Sequence, residues 1–121
     1  MTTSKLEYSP VECSNRLSAT DDALYVLGSR WTIRVMIAIL GGHTRFNELQ
    51  RALKSISAKM LSSELKKLEV NQLIERKVSD EQTSGSVEYI PTEYSQSLKD
   101  IITALAQWGV QHKKKITTPV E

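Results

Sequence analysis

At 121 residues, 40% of them hydrophobic and 25% charged, the chain has the size of one domain that can bury a core without help from disulfides or metal. Its one cysteine, Cys13, excludes an intramolecular disulfide, no apolar run reaches the ~20 residues that cross a bilayer, and the polar N-terminus lacks a signal-peptide core. The expectation is a single cytoplasmic domain spanning residues 1–121, with no membrane partner and a formal net charge of +2 that alone says little about other partners.

In chain order, residues 1–17 read as a polar, mobile arm. Ser18 to Asp22 can then cap a helix carrying Leu24, Tyr25 and Leu27, which ends at Gly28. Trp31 to Leu40, with Ile33, Val35, Met36, Ile37, Ile39 and Leu40, is apolar almost all round, as in a helix buried at the centre of a domain. It stops at Gly41 and Gly42. Phe46 to Leu53 repeats apolar residues at Phe46, Leu49 and Leu53, and Ala58 to Glu69 repeats them at Leu61, Leu65 and Leu68, each a stripe that must face the core. Ser57 is a good N-cap for the second of these helices. Only Lys54 to Ile56 separate them, a link short enough for the turn of a helix-turn-helix over about 45–70.

The pattern then becomes extended. Leu73, Ile74 and Val78 with Arg76 and Lys77 suggest one strand, and Val87 to Ile90 its partner, joined by the polar run Ser79 to Ser86 with Gly85 at a hairpin tip. A hairpin over about 73–91 after a helix-turn-helix is a wing, although Asp80 and Glu81 near its tip argue against deep minor-groove insertion there. Pro91 and Thr92 lead into a long helix over about 93–115. On it Tyr94, Leu98, Ile101, Ile102, Leu105, Trp108, His112 and Ile116 share one face. That stripe is longer than so small a domain can cover, so part of it, with the first helix and the N-terminal arm, is expected to form a symmetric dimer interface. The alternative is that it packs wholly within its own monomer. The fold class is therefore mainly α with a small β-hairpin, a winged helix-turn-helix.

A helix-turn-helix presents its second helix to the major groove of DNA. The outward side of Ala58 to Glu69 holds Lys59, Ser63, Lys66 and Lys67, with Ser62 at its edge. Lysines can neutralise phosphates or donate to guanine, and serines can donate or accept at any base. From Arg45 to Lys77 there are eight Lys or Arg against four Glu, a local excess of four, larger than that of the whole chain. Such a basic footprint is what DNA binding requires.

The ordered series GSRW, RFNEL, ISAKMLSSELKKLE, LIER, VEY and QWG resembles the HxlR-type family of bacterial transcription regulators, relatives of the MarR-like winged-helix group. The likeness runs from about Cys13 to Gly109. It implies a homodimeric repressor or activator that binds a pseudo-palindromic double-stranded DNA operator. It further implies that Arg45, Ser57, Lys59, Met60, Ser62, Ser63 and Arg76 lie near DNA; with Ala58, Lys66 and Lys77 these form the candidate DNA-binding set. It also implies that a cysteine at the position of Cys13 is a thiol switch in some members, responsive to redox or electrophile signals, and lies near the dimer interface. The expected interface residues are Leu6, Tyr8, Leu98, Ile101, Ile102, Leu105, Trp108 and His112. The chain departs from the family at Asn71 and Gln72, where an acidic residue and glycine are usual, so that the left-handed helix cap is expected at Asn71. The wing lacks a frequent proline, and Ser95 replaces a glycine that often opens the last helix.

In most intracellular proteins a lone cysteine is a small hydrophobe or an inert thiol. The run Lys113 to Lys115 reads best as a solvated helix end where cations complement the macrodipole. His43 and His112 lack metal-ligand spacing with Cys13, so no metal or cofactor is expected. Trp31 and Trp108 read as core or interface residues that can also line a small-ligand pocket beside the dimer partner. The sequence has no phosphate loop, no nucleophile beside a base and no arranged pair of acids, which argues against an enzyme. The competing reading is a winged-helix protein-interaction module or a small-ligand-responsive regulator without thiol sensing.

Overall fold

The computed structural model describes residues 7–78 and 86–119. Five helices and one hairpin follow in the order α1 (Pro10–Leu27), α2 (Thr32–Leu40), α3 (Phe46–Leu53), α4 (Ala58–Val70), β1 (Ile74–Val78), β2 (Val87–Pro91), a 3₁₀ segment (Tyr94–Leu98) and α5 (Lys99–Thr117). Leu6 and the predicted wing tip, with Asp80, Glu81 and Gly85, lie outside the described residues.

The core is one cluster. Val35, Met36, Ala38 and Ile39 of α2 meet Leu49 and Leu53 of α3, Leu61, Leu65 and Leu68 of α4, and Ile56, Leu73, Ile74 and Leu98. Burying each of the Val, Leu, Ile and Met side chains among them contributes roughly 1.5–3 kcal/mol. Both helices of the helix-turn-helix turn their predicted stripes inward, and α2 packs against α3, α4 and β2. The expectation that α2 is buried nearly all round is corrected at Ile37, which is 46% exposed. Among the described residues α1, α3, α4 and β2 pack on other parts of α2 and leave Ile37 open to solvent.

The first helix starts earlier than the sequence suggested. Ser9 caps α1, its Oγ accepting from the amide of Glu12 while the Glu12 carboxylate accepts from the amide of Ser9, and Pro10 occupies the first turn, where its missing N–H costs nothing. The predicted arm to residue 17 is therefore helical from Pro10, and Ser18 to Asp22 lie inside the helix. No α1 side chain is buried; only Val26 and Leu27 pack, partly covered, against the core.

The end of α4 also differs from expectation. Asn71 keeps a negative φ of −86°, and its side-chain amide donates to the carbonyl of Lys67 at 2.9 Å. The left-handed residue is Gln72, with φ of 64°. Its amide donates to Glu69 and that of Leu73 to Leu68, both at 3.0 Å, the paired bonds of a Schellman cap, with Leu68 and Leu73 both buried behind them. That cap turns the chain directly into β1.

β1 and β2 pair antiparallel, with Ile74 opposite Pro91, Arg76 opposite Tyr89 and Val78 opposite Val87. On the other edge of β2 the amide of Tyr89 donates to the carbonyl of Thr44 at 2.8 Å, fixing the hairpin to the segment before α3. The long last helix, expected from about residue 93, becomes α-helical only at Lys99: the chain first makes the 3₁₀ segment, in which Thr92 holds Ser95. The Ser95 amide donates to Thr92 Oγ1 at 3.2 Å and the Ser95 hydroxyl to the Thr92 carbonyl at 2.6 Å. Ser95 is fully buried in this bend.

Candidate nucleic-acid interface

The helix-turn-helix is held by backbone capping at both of its starts. Before α3 the Glu48 carboxylate accepts from the amides of Thr44 and Arg45. Before α4 the Ser57 hydroxyl accepts from the amide of Met60 at 3.0 Å. Between the helices Lys54 adopts a positive φ of 60°, Ile56 drops into the core, and Gln50 Nε2 donates to the Ile56 carbonyl at 3.3 Å. The turn is thus fixed by one apolar anchor and one amide clamp, which sets the angle at which α4 leaves it.

With Leu61, Leu65 and Leu68 inward, α4 exposes Ala58, Lys59, Met60, Ser62, Ser63 and Lys66. Ser57, at its N-cap, is exposed as well. Arg76 and Lys77 stand exposed on β1, and a cleft of about 410 Å³ between α4 and the hairpin is lined by Ser62, Lys66, Glu69, Arg76 and Tyr89 among others. Glu69 brings an acid to the far end of this otherwise basic cleft. Toward the N-terminus of α4 the exposed face carries cations, hydroxyls and the apolar Ala58 and Met60, with no acid.

Two residues of the sequence-predicted surface are placed differently. Lys67, expected on the solvated face, is half-buried on the opposite edge of α4, and its Nζ donates to the hydroxyl of Thr32 at 3.3 Å. Arg45 is exposed, but it reaches the wing: Nη1 donates to Ser86 Oγ at 2.5 Å and Nη2 lies 3.5 Å from Glu88 Oε2. Sequence reasoning missed Glu64 altogether. It is buried, accepting from the hydroxyls of Ser29 and Thr32, and an acid on the flank of a leucine stripe was the available signal.

Apolar side chains are also left open on the first and last helices. Leu17, Leu24 and Tyr25 of α1 and Ile101, Leu105 and Trp108 of α5 are exposed. Of the other predicted interface residues, His112 stacks on Trp108 with ring centroids 4.7 Å apart, and Tyr8 lies under the Arg16 guanidinium at 4.4 Å. Ile102 is half-buried, and Leu98 belongs to the domain's own core, since the 3₁₀ segment turns it inward. Cys13 is a free, exposed thiol in the first turns of α1, not in an arm. Glu12 and Arg16 beside it are engaged with Ser9 and Tyr8.

A model of the HxlR-like helix-turn-helix family matches residues 26–117. The chain belongs to this family. It is 39% identical over 84 residues, 69% of its length and 70% of the relative's, to the uncharacterised HTH-type transcriptional regulator YkvN of Bacillus subtilis. Among solved structures, the reduced form of the B. subtilis transcriptional regulator YodB is similar at TM-score 0.68 and 31% identity, covering 84% of this chain and 94% of that one. The reduced form of the redox regulator HypR is similar at TM-score 0.75 and 29% identity, covering 84% and 99%. YodB has also been solved bound to quinone and after diamide treatment. This HxlR-like protein is thus a winged helix-turn-helix transcriptional regulator, of a DNA-binding class and not an enzyme. No single helix among its described residues is long and apolar enough to cross a membrane.

Proposed function

We propose that the protein regulates transcription as a homodimer that binds a pseudo-palindromic operator, with α4 in the major groove and the hairpin along the phosphate backbone. The observation that carries this is the division of its surface. One side presents the Ser57-capped start of α4, with Lys59, Ser62, Ser63 and Lys66 exposed beside Arg76 and Lys77. Elsewhere the apolar side chains Leu17, Leu24 and Tyr25 of α1 and Ile101, Leu105 and Trp108 of α5 are left uncovered. A two-fold pairing through α1 and α5 covers the second and presents two copies of the first to successive major grooves. Ala58 and Met60 complete the reading surface with apolar contacts suited to thymine methyl groups.

Cys13 is the candidate sensor. Its exposed thiol lies on α1, one of the two helices assigned to the interface, so oxidation or alkylation there acts on the geometry of the pair. The likeness to YodB and HypR supports an electrophile or oxidant as the signal. Selection of operator DNA from random duplexes with purified protein, followed by titration and sedimentation of the winner, tests the central reading. A two-fold symmetric site bound by two chains, with half-sites about one helical turn apart, is the expected outcome. Failure to enrich any sequence overturns it in favour of a protein-interaction module.

A further inference from the structure

Glu64 is the one charged side chain that the fold buries among the described residues, at 5% exposed. It sits on the helix that the proposed function sends into DNA, where a negative charge gives nothing to phosphate binding. A buried carboxylate costs stability unless it is compensated, and an apolar side chain of similar volume is often at least as stable. No Lys or Arg among the described residues forms an ion pair with it. Its oxygens are instead held by hydroxyls: Ser29 Oγ donates to Oε2 at 2.9 Å and Thr32 Oγ1 to Oε1 at 2.8 Å.

Those two donors have distinct places in the chain. Ser29 belongs to the four-residue link between α1 and α2, and its hydroxyl also accepts from the Trp31 amide at 3.1 Å. Thr32 is the first residue of α2, so the carboxylate faces the positive end of that helix. Lys67, one turn beyond Glu64, adds the 3.3 Å bond to Thr32 Oγ1. Three directional bonds therefore fasten the middle of α4 to the point where α1 joins the body of the domain. Apolar packing tolerates small rotations and slides; a carboxylate held at both oxygens tolerates much less.

We propose that Glu64 is a positioning residue, pinning the recognition helix to the α1–α2 link so that the arrangement of α1 in the dimer sets the angle and spacing at which the two recognition helices meet DNA. This rests on the DNA-binding dimer reading above. Exposed Lys59 and Lys66 contact DNA in that reading; Glu64 and Thr32 do not, and act through the helix they hold.

The test compares wild type with Glu64→Leu, Thr32→Val, Thr32→Ser and Ser29→Ala on the selected operator, on operators with half-sites moved one base pair closer or further, and on random-sequence duplex. Sedimentation and thermal unfolding confirm which variants are folded dimers. Glu64→Leu and Thr32→Val are expected to lose roughly two- to thirtyfold in operator affinity, to discriminate less among spacings, and to keep wild-type affinity for random duplex. Thr32→Ser, which keeps the hydroxyl, restores both properties, and Ser29→Ala shows a smaller loss of the same kind. A purely structural role would lower the melting temperature and leave the spacing preference of the folded fraction unchanged, and that result overturns the proposal. Should Glu64→Leu fail to fold, Thr32→Val and Ser29→Ala decide on their own. If wild type selects no operator, the DNA-binding reading fails first and the positioning role falls with it.

Discussion

Arg45, at the N-cap of α3, and Glu88, on β2, approach to 3.5 Å and tie the helix-turn-helix to the wing. Both side chains are about half exposed, 47% and 41%, so the pair contributes at most about 1 kcal/mol to stability. Its larger effect is on what Arg45 is free to touch. Glu88→Gln is expected to leave the melting temperature nearly unchanged and to release Arg45 toward phosphate, steepening the dependence of log affinity on log salt by about 0.9. Arg45→Ala in the same background should cancel the gain. A slope that does not respond to Glu88→Gln would show that Arg45 stays on the wing when DNA is bound.

Lys66 and Lys67 are neighbours with opposite expectations. Lys66 is exposed beside the cleft, whereas the ammonium of Lys67 is committed to Thr32. Lys66→Ala should weaken binding to all sequences and reduce the salt slope by about one. Lys67→Ala should leave the slope close to wild type and, through Thr32, alter affinity for the operator alone. Titrations at four salt concentrations separate the two. Slopes reduced equally in the two variants would place both lysines on phosphate.

The fold was legible because its signals are local and agree with one another. The leucine spacing of α3 and α4, Ser57 before α4 and the change to an extended pattern after α4 each follow from short stretches of chain, and the first and last residues of α3 were read correctly. What was missed has a weak local signal or depends on tertiary geometry. Ser9 with Glu12 is a capping box visible in the sequence, but the apolar content of residues 10–17 is too thin to announce a helix. Neither Asn71 nor Gln72 is glycine, so composition could not say which takes the positive φ; the backbone decided by closing the Schellman bonds at Leu68 and Glu69. Lys67 and Glu64 depend on where the α1–α2 link lies, which no periodicity in α4 encodes.

Gln72 carries a measurable cost. A non-glycine residue at φ of 64° stands roughly 1–2 kcal/mol above the helical region, and glycine removes the Cβ that causes it. Gln72→Gly is therefore expected to raise the urea midpoint, the net gain being about 1 kcal/mol after the extra chain entropy of glycine in the unfolded state. Asn71→Gly should instead lower it, since it deletes the side-chain bond to Lys67 without relieving strain. If Gln72→Gly destabilises, the Gln72 side chain makes contacts worth more than the strain it carries.

The uncovered apolar face gives a direct test of assembly. Leu105 is 51% exposed and lies one turn from Ile101 and Trp108 on α5. In a dimer through α1 and α5, Leu105→Glu places two carboxylates against apolar surface, a cost of several kcal/mol. The wild type should then sediment at twice 13.6 kDa and the variant at the monomer mass, with helix content retained because no core residue is touched. A variant that sediments like wild type would move the interface off this face.

Cys13 can form a disulfide only with a second chain, since each chain has one cysteine. Diamide, by oxidising two thiols, should produce a reducible species of twice the chain mass on a non-reducing gel, provided the two α1 helices bring their Cys13 Cα atoms within about 7 Å. A quinone, by adding to the thiolate sulfur, should modify each chain separately and leave the monomer band. If the thiol is coupled to DNA binding, either treatment should shift operator affinity by about 5- to 150-fold, and Cys13→Ser should respond to neither. A wild type that is alkylated in full yet binds operator unchanged would make Cys13 an exposed thiol without a regulatory role. The operator-binding reading itself would stand, because the face on α4 and the wing does not include it.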